Sequence, residues 1–171
     1  MKRYNPLTLC AVAAVATLIA LMAGSCNTNG CTDNRSSLPI AGFFSMETGA
    51  EIAIDSISIG GIGAPDDSLL VNTGMKIHQV YLPFSSEAEG VTFAFLYDWK
   101  NAPQPDMITF RYKTIPFFVS EECGAMYRYR ITEYSYTTHL LDSVAVIDSL
   151  ITNVEKVNIQ LFYHTETPET E

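Results

Sequence analysis

Apolar and polar residues alternate along much of this chain, in short runs that Gly, Pro, Asn and Asp separate. Side chains at every second position share one face of a β-strand, so an apolar set with this period predicts a strand with one buried face. Three such sets are clear: Val91, Phe93, Phe95 and Tyr97; Ile108, Phe110 and Tyr112; and Val157, Ile159, Leu161 and Tyr163. No run has the period of a long amphipathic helix.

Nine runs of this kind predict nine strands. They are IAGFFSM, AIDSISIGGIG, SLLVN, KIHQVYLPF, VTFAFLYDW, MITFRYKTI, AMYRYRITEYSY, DSVAVID and VNIQLFYH. Many short strands at this spacing are typical of an antiparallel β-sandwich or a partly closed barrel. We therefore expect an all-β fold of about eight to nine strands. In AMYRYRITEYSY the alternation changes phase at Glu133, which predicts a β-bulge or a bend.

The amino-terminal end has a different pattern. It begins with the basic sequence MKR, continues with an uncharged apolar run over residues 7–23, and ends with two small residues directly before Cys26. These are the parts of a secretory signal. Small residues before a cysteine also resemble the lipobox of bacterial lipoproteins, in which the signal is removed and the cysteine is acylated. We therefore expect a signal peptide at residues 1–25 and lipidation of Cys26; an uncleaved membrane anchor is the alternative.

The rest of the chain predicts one domain. Removal of residues 1–25 leaves 146 of the 171 residues, a usual size for a single domain. Residues 26–37 are polar and rich in turn formers, which predicts a flexible lipid-anchored tether. Residues 38–163 contain all nine runs without a linker and predict a single β-sandwich domain. Residues 164–171 form a polar C-terminal tail.

Acidic residues dominate the charge of the chain. It has 10 Lys and Arg against 19 Asp and Glu, a formal net charge of −9, and loss of Lys2 and Arg3 with the signal takes this to −11. Binding of nucleic acid needs a surplus of cations to neutralise phosphates, so the balance argues against a nucleic-acid partner. It suits a domain held at a membrane by acyl chains on Cys26, where each buried methylene contributes about 0.8 kcal/mol.

Two cysteines, Cys31 and Cys123, remain for the folded domain. Export places them in an oxidising compartment, where a disulfide persists. A bridge between them would close a loop of about 90 residues and stabilise the fold by roughly 4–5 kcal/mol in the chain-entropy model. A free or reactive thiol at Cys123 is the alternative; the adjacent carboxylates of Glu121 and Glu122 disfavour a thiolate and work against a nucleophile.

No sequence motif indicates catalysis or metal binding. His78, His139 and His164 are far apart in the sequence, and neither HExxH nor CxxC is present. The GxSxG motif of serine hydrolases is also missing. We therefore expect no metal, no small-molecule cofactor and no enzymatic activity. A hydrolase with a pair of carboxylates brought together by the fold stays open as a hypothesis, because such a pair meets in space and not in sequence.

Asp-Ser occurs four times directly before an apolar residue. The serines are Ser56, Ser68, Ser143 and Ser149. Asp and Ser side chains bond back to the backbone in turns, so these pairs predict turns that start strands. Each also resembles the Asp-Ser/Thr-apolar acceptor site for O-glycosylation of exported proteins in some Gram-negative bacteria. Both interpretations stay open.

Four cations are predicted to lie on one sheet face of this acidic chain. Arg111 and Lys113 occupy the outward positions of one strand, and Arg128 and Arg130 those of the next long strand. Cross-strand ion pairs with acids such as Glu133 are one interpretation. The other is a docking patch for a phosphate, a carboxylate or the acidic surface of a partner.

Seven stretches carry a resemblance to a known family. They are CTDNRSSLPIAGFFS, DSISIGGIGAPDDSLLVN, YLPF, DMITFRYKT, VSEECGAMYRYRI, HLLDSVAVID and VNIQLFY. Together they resemble an uncharacterised lipoprotein family, a domain of unknown function, from Gram-negative bacteria of the gut and similar habitats. The resemblance implies a lipid-anchored envelope protein with Cys26 as the lipidated residue and Cys31 and Cys123 as recurring cysteines. It implies no activity, catalytic residue or cofactor.

These features lead to one main functional hypothesis and one alternative. The first is a lipid-anchored outer-membrane protein, on the periplasmic face or the cell surface, that binds another envelope component such as an outer-membrane protein. Its contact with membrane lipid is through acylated Cys26. The alternative is a surface glycan-binding or adhesin- or pilin-like module, for which Trp99 and Phe162 are the candidate exposed aromatic residues.

Overall fold

The computed structural model describes residues 37–98, 101–120 and 124–165. Within these ranges the chain is all-β, as the alternation predicts. Its ten strands are β1 (Ile40–Ser45), β2 (Ile57–Gly61), β3 (Leu69–Gly74), β4 (Gln79–Tyr81), β5 (Gly90–Tyr97), β6 (Asp106–Ser120), β7 (Gly124–Tyr136), β8 (Leu141–Val146), β9 (Leu150–Ile151) and β10 (Val157–Tyr163). A 3₁₀ turn, Pro65–Asp67, precedes β3.

Several predictions fall on residues outside these ranges. They are the signal peptide at residues 1–25, the lipidated Cys26, and the disulfide between Cys31 and Cys123. In the part of the chain that the structure describes, no helix is long and apolar enough to cross a membrane.

The strands form two sheets, with the orders β4-β1-β10-β8 and β3-β2-β5-β6-β7-β9. The expectation of a sandwich or a partly closed barrel is confirmed, since the sheets form a curled half-barrel. Each of the nine predicted runs overlaps one strand, and β6 extends well beyond its run. The tenth strand, β9, has only two residues, too few for an alternating pattern to reveal it.

One strand pair departs from the antiparallel expectation. β1 and β10 run parallel, from Ile40 opposite Val157 to Ser45 opposite Tyr163. Parallel strands need a crossover connection, and here all eight other strands lie between them in the sequence. The first and the last strand therefore meet in the middle of the four-stranded sheet.

The predicted inward faces form the core. Phe93, Phe95, Ile108 and Phe110 of the six-stranded sheet are fully buried, as is Ile159 of the four-stranded sheet. Complete burial of one such side chain stabilises a fold by about 1.5–3 kcal/mol. These positions therefore account for a large part of the packing between the sheets.

The phase change predicted in β7 is a β-bulge at Thr132. Arg111 of β6 lies opposite Glu133, and the next residue, Tyr112, lies opposite Ile131, so Thr132 is the extra residue. Its hydroxyl donates a hydrogen bond to the carbonyl of Arg111 at 3.2 Å. The bulge moves all later side chains of β7 into the other phase, as the sequence indicates.

Strands β6 and β7 continue beyond their neighbours. The pairing of β5 with β6 ends at Gly90, opposite Arg111. The pairing of β9 with β7 ends at Tyr129, opposite Ile151. In the described part of the chain, residues 113–120 therefore pair only with β7, and residues 124–128 pair only with β6. We call this projecting two-stranded ribbon the arm.

Aromatic packing fixes the base of the arm. The ring of Phe84 stacks on Tyr112 at a centroid distance of 4.3 Å and meets the edge of Tyr129 at 5.7 Å. The hydroxyl of Tyr112 accepts a hydrogen bond from the N–H of Ser85 at 3.0 Å and donates one to the carbonyl of Ser85 at 3.1 Å. The arm therefore starts from a well-packed position beside the segment that follows β4.

Candidate functional site

The four predicted cations lie on the outward face of β6 and β7, where the arm begins. Arg111 lies opposite Glu133, and their side chains form an ion pair with Nε and Oε2 3.9 Å apart. Both side chains are about 70% exposed (70% and 72%), so solvent weakens the pair. The ion-pair interpretation is therefore correct for Arg111.

Lys113 and Arg130 lie directly opposite each other across the two strands. Like charges in this position repel and destabilise a strand pair. Among the described residues, no acidic group lies within 4.0 Å of either side chain. Arg130 does contribute to lowering the pKa of Asp148, although the largest cause there is a hydrogen bond from Lys156. The two cations are thus left without a close acidic partner in the described chain.

Arg128 is held by an aromatic ring. Its guanidinium carbon lies 3.9 Å from the centre of the Phe117 ring, which is the geometry of a cation–π interaction. Its Nε atom is buried and has no hydrogen-bond partner among the described residues. The ring orients the guanidinium group without neutralising its charge.

The opposite face of the arm is apolar, which the alternation of the predicted runs did not indicate. Phe118 is 67% exposed and Tyr127 is 43% exposed, and Pro116, which is also exposed, lies directly opposite Tyr127. These side chains continue the inward face of β6 beyond the end of the core. The available signal was the apolar sequence PFFV directly after the predicted run MITFRYKTI. The structure extends β6 through it to 15 residues, well beyond the usual 5–6 of a strand.

Asp106, at the start of β6, is the most extensively hydrogen-bonded acid of the described chain. Its carboxylate is fully buried and accepts hydrogen bonds from Tyr97 Oη (2.7 Å) and Thr137 Oγ1 (3.0 Å). The backbone N–H groups of residues 139, 140 and 141 donate three more, at 2.7, 2.9 and 2.8 Å. Burial acts to raise the pKa of Asp106, but these bonds outweigh it and lower the pKa. With every oxygen engaged in the fold, Asp106 is a structural residue.

A second polar cluster joins the end of β10 to the turn after β1. His164 Nδ1 lies 2.7 Å from Glu47 Oε1, and His164 Nε2 lies 3.0 Å from Asp142 Oδ1. The N–H and the hydroxyl of Thr165 both donate to Glu47 Oε2, at 2.9 and 2.8 Å. We call His164, Glu47, Asp142 and Thr165 the clasp. It fixes the first residues of the predicted polar tail against the domain.

The four Asp-Ser serines differ in their positions. Ser56, Ser68 and Ser149 directly precede β2, β3 and β9, as the turn interpretation predicts. Ser143 lies inside β8, opposite Phe162, and so does not start a strand. Ser68 and Ser149 are the exposed pair. Glycosylation of any of the four stays a prediction.

The remaining candidates form no site of their own. Phe162 is half-buried beside Phe44, with ring centres 5.9 Å apart, and Trp99 lies outside the described residues. His78 Nδ1 lies 3.8 Å from Glu51 Oε1, and the backbone N–H of His139 donates a hydrogen bond to Asp106. Within the described ranges, no group of three or more His, Cys, Asp or Glu side chains could hold a metal ion.

Comparison with known families assigns the domain to one of them. Residues 56–163 match a family described as a family of unknown function (DUF6452). The chain belongs to this family. The matched region runs from the residue before β2 to the last residue of β10, so it includes the arm and Asp106, whereas β1 lies outside the match. No curated protein and no solved structure matched the chain.

Proposed function

We propose that this family member is a lipid-anchored protein of the bacterial outer membrane that acts, without catalysis, by binding another component of the envelope. The outward face of the arm is its docking surface, and the partner presents carboxylates or phosphates to it. The lipobox-like sequence before Cys26 supports the membrane location.

One observation carries the docking surface. Lys113 and Arg128 lie on the arm, Arg130 lies opposite Lys113 at the base of the arm, and no acid of the described chain lies within 4.0 Å of these three cations. The chain has a net charge of −9 and is rich in acids. The three cations nevertheless lack the stabilising attraction that a close carboxylate of the described chain would give them. A partner's anions would neutralise the three cations, and electrostatic complementarity of this kind sets specificity and association rate.

A charge reversal at Lys113 tests the docking surface. The change Lys113→Glu removes a repulsion with Arg130 and replaces it by an attraction, so the free energy of unfolding is expected to rise, by at most about 0.5 kcal/mol for an exposed pair. Recovery of the partner by cross-linking from native envelopes is expected to fall about tenfold, because the docking surface loses two units of charge.

Lys76→Glu is the matched control. Lys76 is also an exposed lysine, lies near β3, and belongs to a different surface. The same charge change there is expected to leave recovery unchanged. Equal recovery with the wild-type chain and Lys113→Glu would contradict the docking surface, and recovery of polysaccharide alone would favour the glycan-binding alternative.

A further inference from the structure

A shallow depression lies on the outward face of the six-stranded sheet, next to the base of the arm. Its volume is about 330 Å³, and strands β5 and β6 form its floor. Gly90 of β5 lies opposite Arg111 of β6 and has no side chain to fill the space beside it. The next outward pair on the same strands, Thr92 opposite Thr109, also lines the depression, and Ile62 forms a wall.

The lining of the depression can both donate and accept hydrogen bonds. The hydroxyls of Thr92 and Thr109 lie 2.8 Å apart and share one hydrogen bond. Each hydroxyl has one hydrogen and two lone pairs, so the pair still offers a hydrogen and lone pairs to a ligand. Among the described residues that line the depression, only Arg111 is charged, and its ion pair with Glu133 is exposed and weak. These groups suit a neutral ring with several hydroxyls, next to a negative charge.

The position for that negative charge lies between Lys113 and Arg130. Lys113 is on the same face of β6 as Arg111, about 7 Å further along at the usual strand rise. It lies directly opposite Arg130, where two like charges repel. A phosphate monoester carries roughly −1.5 to −2 charge near pH 7 and has three acceptor oxygens, whereas a carboxylate has one charge. One phosphate can therefore neutralise both cations, and one carboxylate cannot.

We propose that this face binds a phosphorylated sugar: the phosphate lies between Lys113 and Arg130, and the sugar ring lies in the depression, where Thr92 and Thr109 bind its hydroxyls. The inference rests on the proposed function, because it names the anion that the docking surface receives. A membrane lipid with a phosphorylated sugar headgroup and a soluble sugar phosphate share this chemistry.

Titration of the full chain in detergent solution with glucose-6-phosphate tests the site, with backbone amide chemical shifts as the readout. We expect shifts at the depression and around Lys113. The dissociation constant is expected to be about tenfold lower than that of inorganic phosphate, because the ring adds hydrogen bonds. Glucose without a phosphate is expected to give no shifts.

Two variants separate the two parts of the site. Lys113→Glu is expected to weaken binding of both glucose-6-phosphate and inorganic phosphate at least about tenfold. Thr92→Val combined with Thr109→Val removes both hydroxyls and keeps β-branched side chains. It is expected to weaken glucose-6-phosphate to the affinity of inorganic phosphate, whose own binding stays unchanged.

Lys76→Glu and Thr114→Val are the matched controls. Lys76 belongs to a different surface, and Thr114 lies on the opposite face of β6 from Lys113. None of the changed side chains is buried, so all the variants are expected to fold. Both controls are expected to bind glucose-6-phosphate as the wild-type chain does.

Three results would overturn the phosphorylated sugar. They are no binding of glucose-6-phosphate, equal affinity for glucose-6-phosphate and inorganic phosphate, and binding that persists in Lys113→Glu. Competition by the organic-solvent phase of an envelope extract would identify a lipid headgroup as the natural source, and competition by the aqueous phase a soluble sugar phosphate. Competition by neither phase would also overturn the inference.

The sugar-phosphate site and the envelope partner can fail separately. No binding of glucose-6-phosphate, together with reduced partner recovery in Lys113→Glu, would overturn the sugar phosphate and leave the docking surface. Binding of glucose-6-phosphate, together with unchanged partner recovery in Lys113→Glu, would support the sugar-phosphate site and contradict the docking surface.

Discussion

At the scale of single residues, Asp106 shows how an acid can be buried without a cation beside it. A buried charge is costly unless hydrogen bonds replace its hydration. Five donors surround this carboxylate, and three of them are consecutive backbone N–H groups that lead into β8. Asp106 therefore joins the start of β6 in one sheet to the start of β8 in the other.

The change Asp106→Asn tests this role. An amide has a single acceptor oxygen, and in either orientation its NH₂ group would face at least one backbone N–H, which cannot accept a hydrogen bond. We expect a loss of about 3 kcal/mol in the free energy of unfolding, measured by urea denaturation. Asp98→Asn is the control, because Asp98 is exposed and accepts from Ser58, and we expect it to lose less than about 1 kcal/mol. Similar losses for both variants would contradict the assignment.

The clasp contains two exposed groups with shifted pKa values, His164 and Glu47. The hydrogen bond that His164 donates to Glu47 is the largest cause that raises the pKa of His164 above its ordinary value of 6.5, and Asp142 adds to it. Hydrogen bonds from Thr165 and His164 hold the pKa of Glu47 well below its ordinary value of 4.5. The clasp is therefore complete when His164 is protonated and both carboxylates are ionised.

These directions predict how the clasp responds to pH. The pKa of His164 is raised in the folded chain. Protonated His164 therefore stabilises the clasp fully below pH 6.5, and this stabilisation is lost as the pH rises through the folded pKa. The backbone amide of Thr165 donates a hydrogen bond to Glu47 in the clasp. We therefore expect its protection from hydrogen exchange, corrected for the intrinsic rate, to decline as the pH rises through the folded pKa of His164. In His164→Gln the decline is expected to disappear; persistence of the decline in that variant would assign it to another group.

At the scale of elements, the arm must avoid pairing with other chains along its free edge. The N–H of Tyr112 points towards β5, where it donates to the carbonyl of Glu89. Because N–H groups alternate in direction along a strand, position 116 also faces this edge, and a proline stands there. Pro116 thus removes a donor from the middle of an exposed edge, a common protection against aggregation.

The change Pro116→Val tests the protected edge. Valine restores a donor and favours strands, so we expect faster aggregation, followed by light scattering, with a change of no more than about 1 kcal/mol in the free energy of unfolding. Thr114→Val is the matched control on the same edge, where an N–H is already present. Unchanged aggregation in Pro116→Val would show that the proline has no protective role.

At the scale of the whole molecule, local patterns predicted the strands but not their partners. Alternation located nine strands and the bulge, because burial of one face fixes the period of each strand. It could not show that β1 pairs in parallel with β10, since pairing of distant strands leaves no local signal. The extent of the arm depends on where β5 and β9 stop pairing, which is equally non-local.

The same limit applies to the candidate site. The cations Arg111, Lys113, Arg128 and Arg130 were predictable, because outward positions follow directly from the alternation. The clasp was not, because His164 and Glu47 are separated by 117 positions and meet only through the pairing of β1 with β10. Asp106 likewise follows Pro105 in what reads as an ordinary turn, and its donors are Tyr97 and residues 137, 139, 140 and 141.

The central claim is that the outward face of the arm docks onto an envelope partner, and in-cell photo-cross-linking tests it most directly. A photo-reactive residue replaces Ile115, which lies on that face between Lys113 and Phe117; Ile147 is the control position. We predict one dominant adduct with another envelope component from position 115, lost in Lys113→Glu and missing from position 147. No adduct from position 115, or the same adducts from both positions, would contradict the claim.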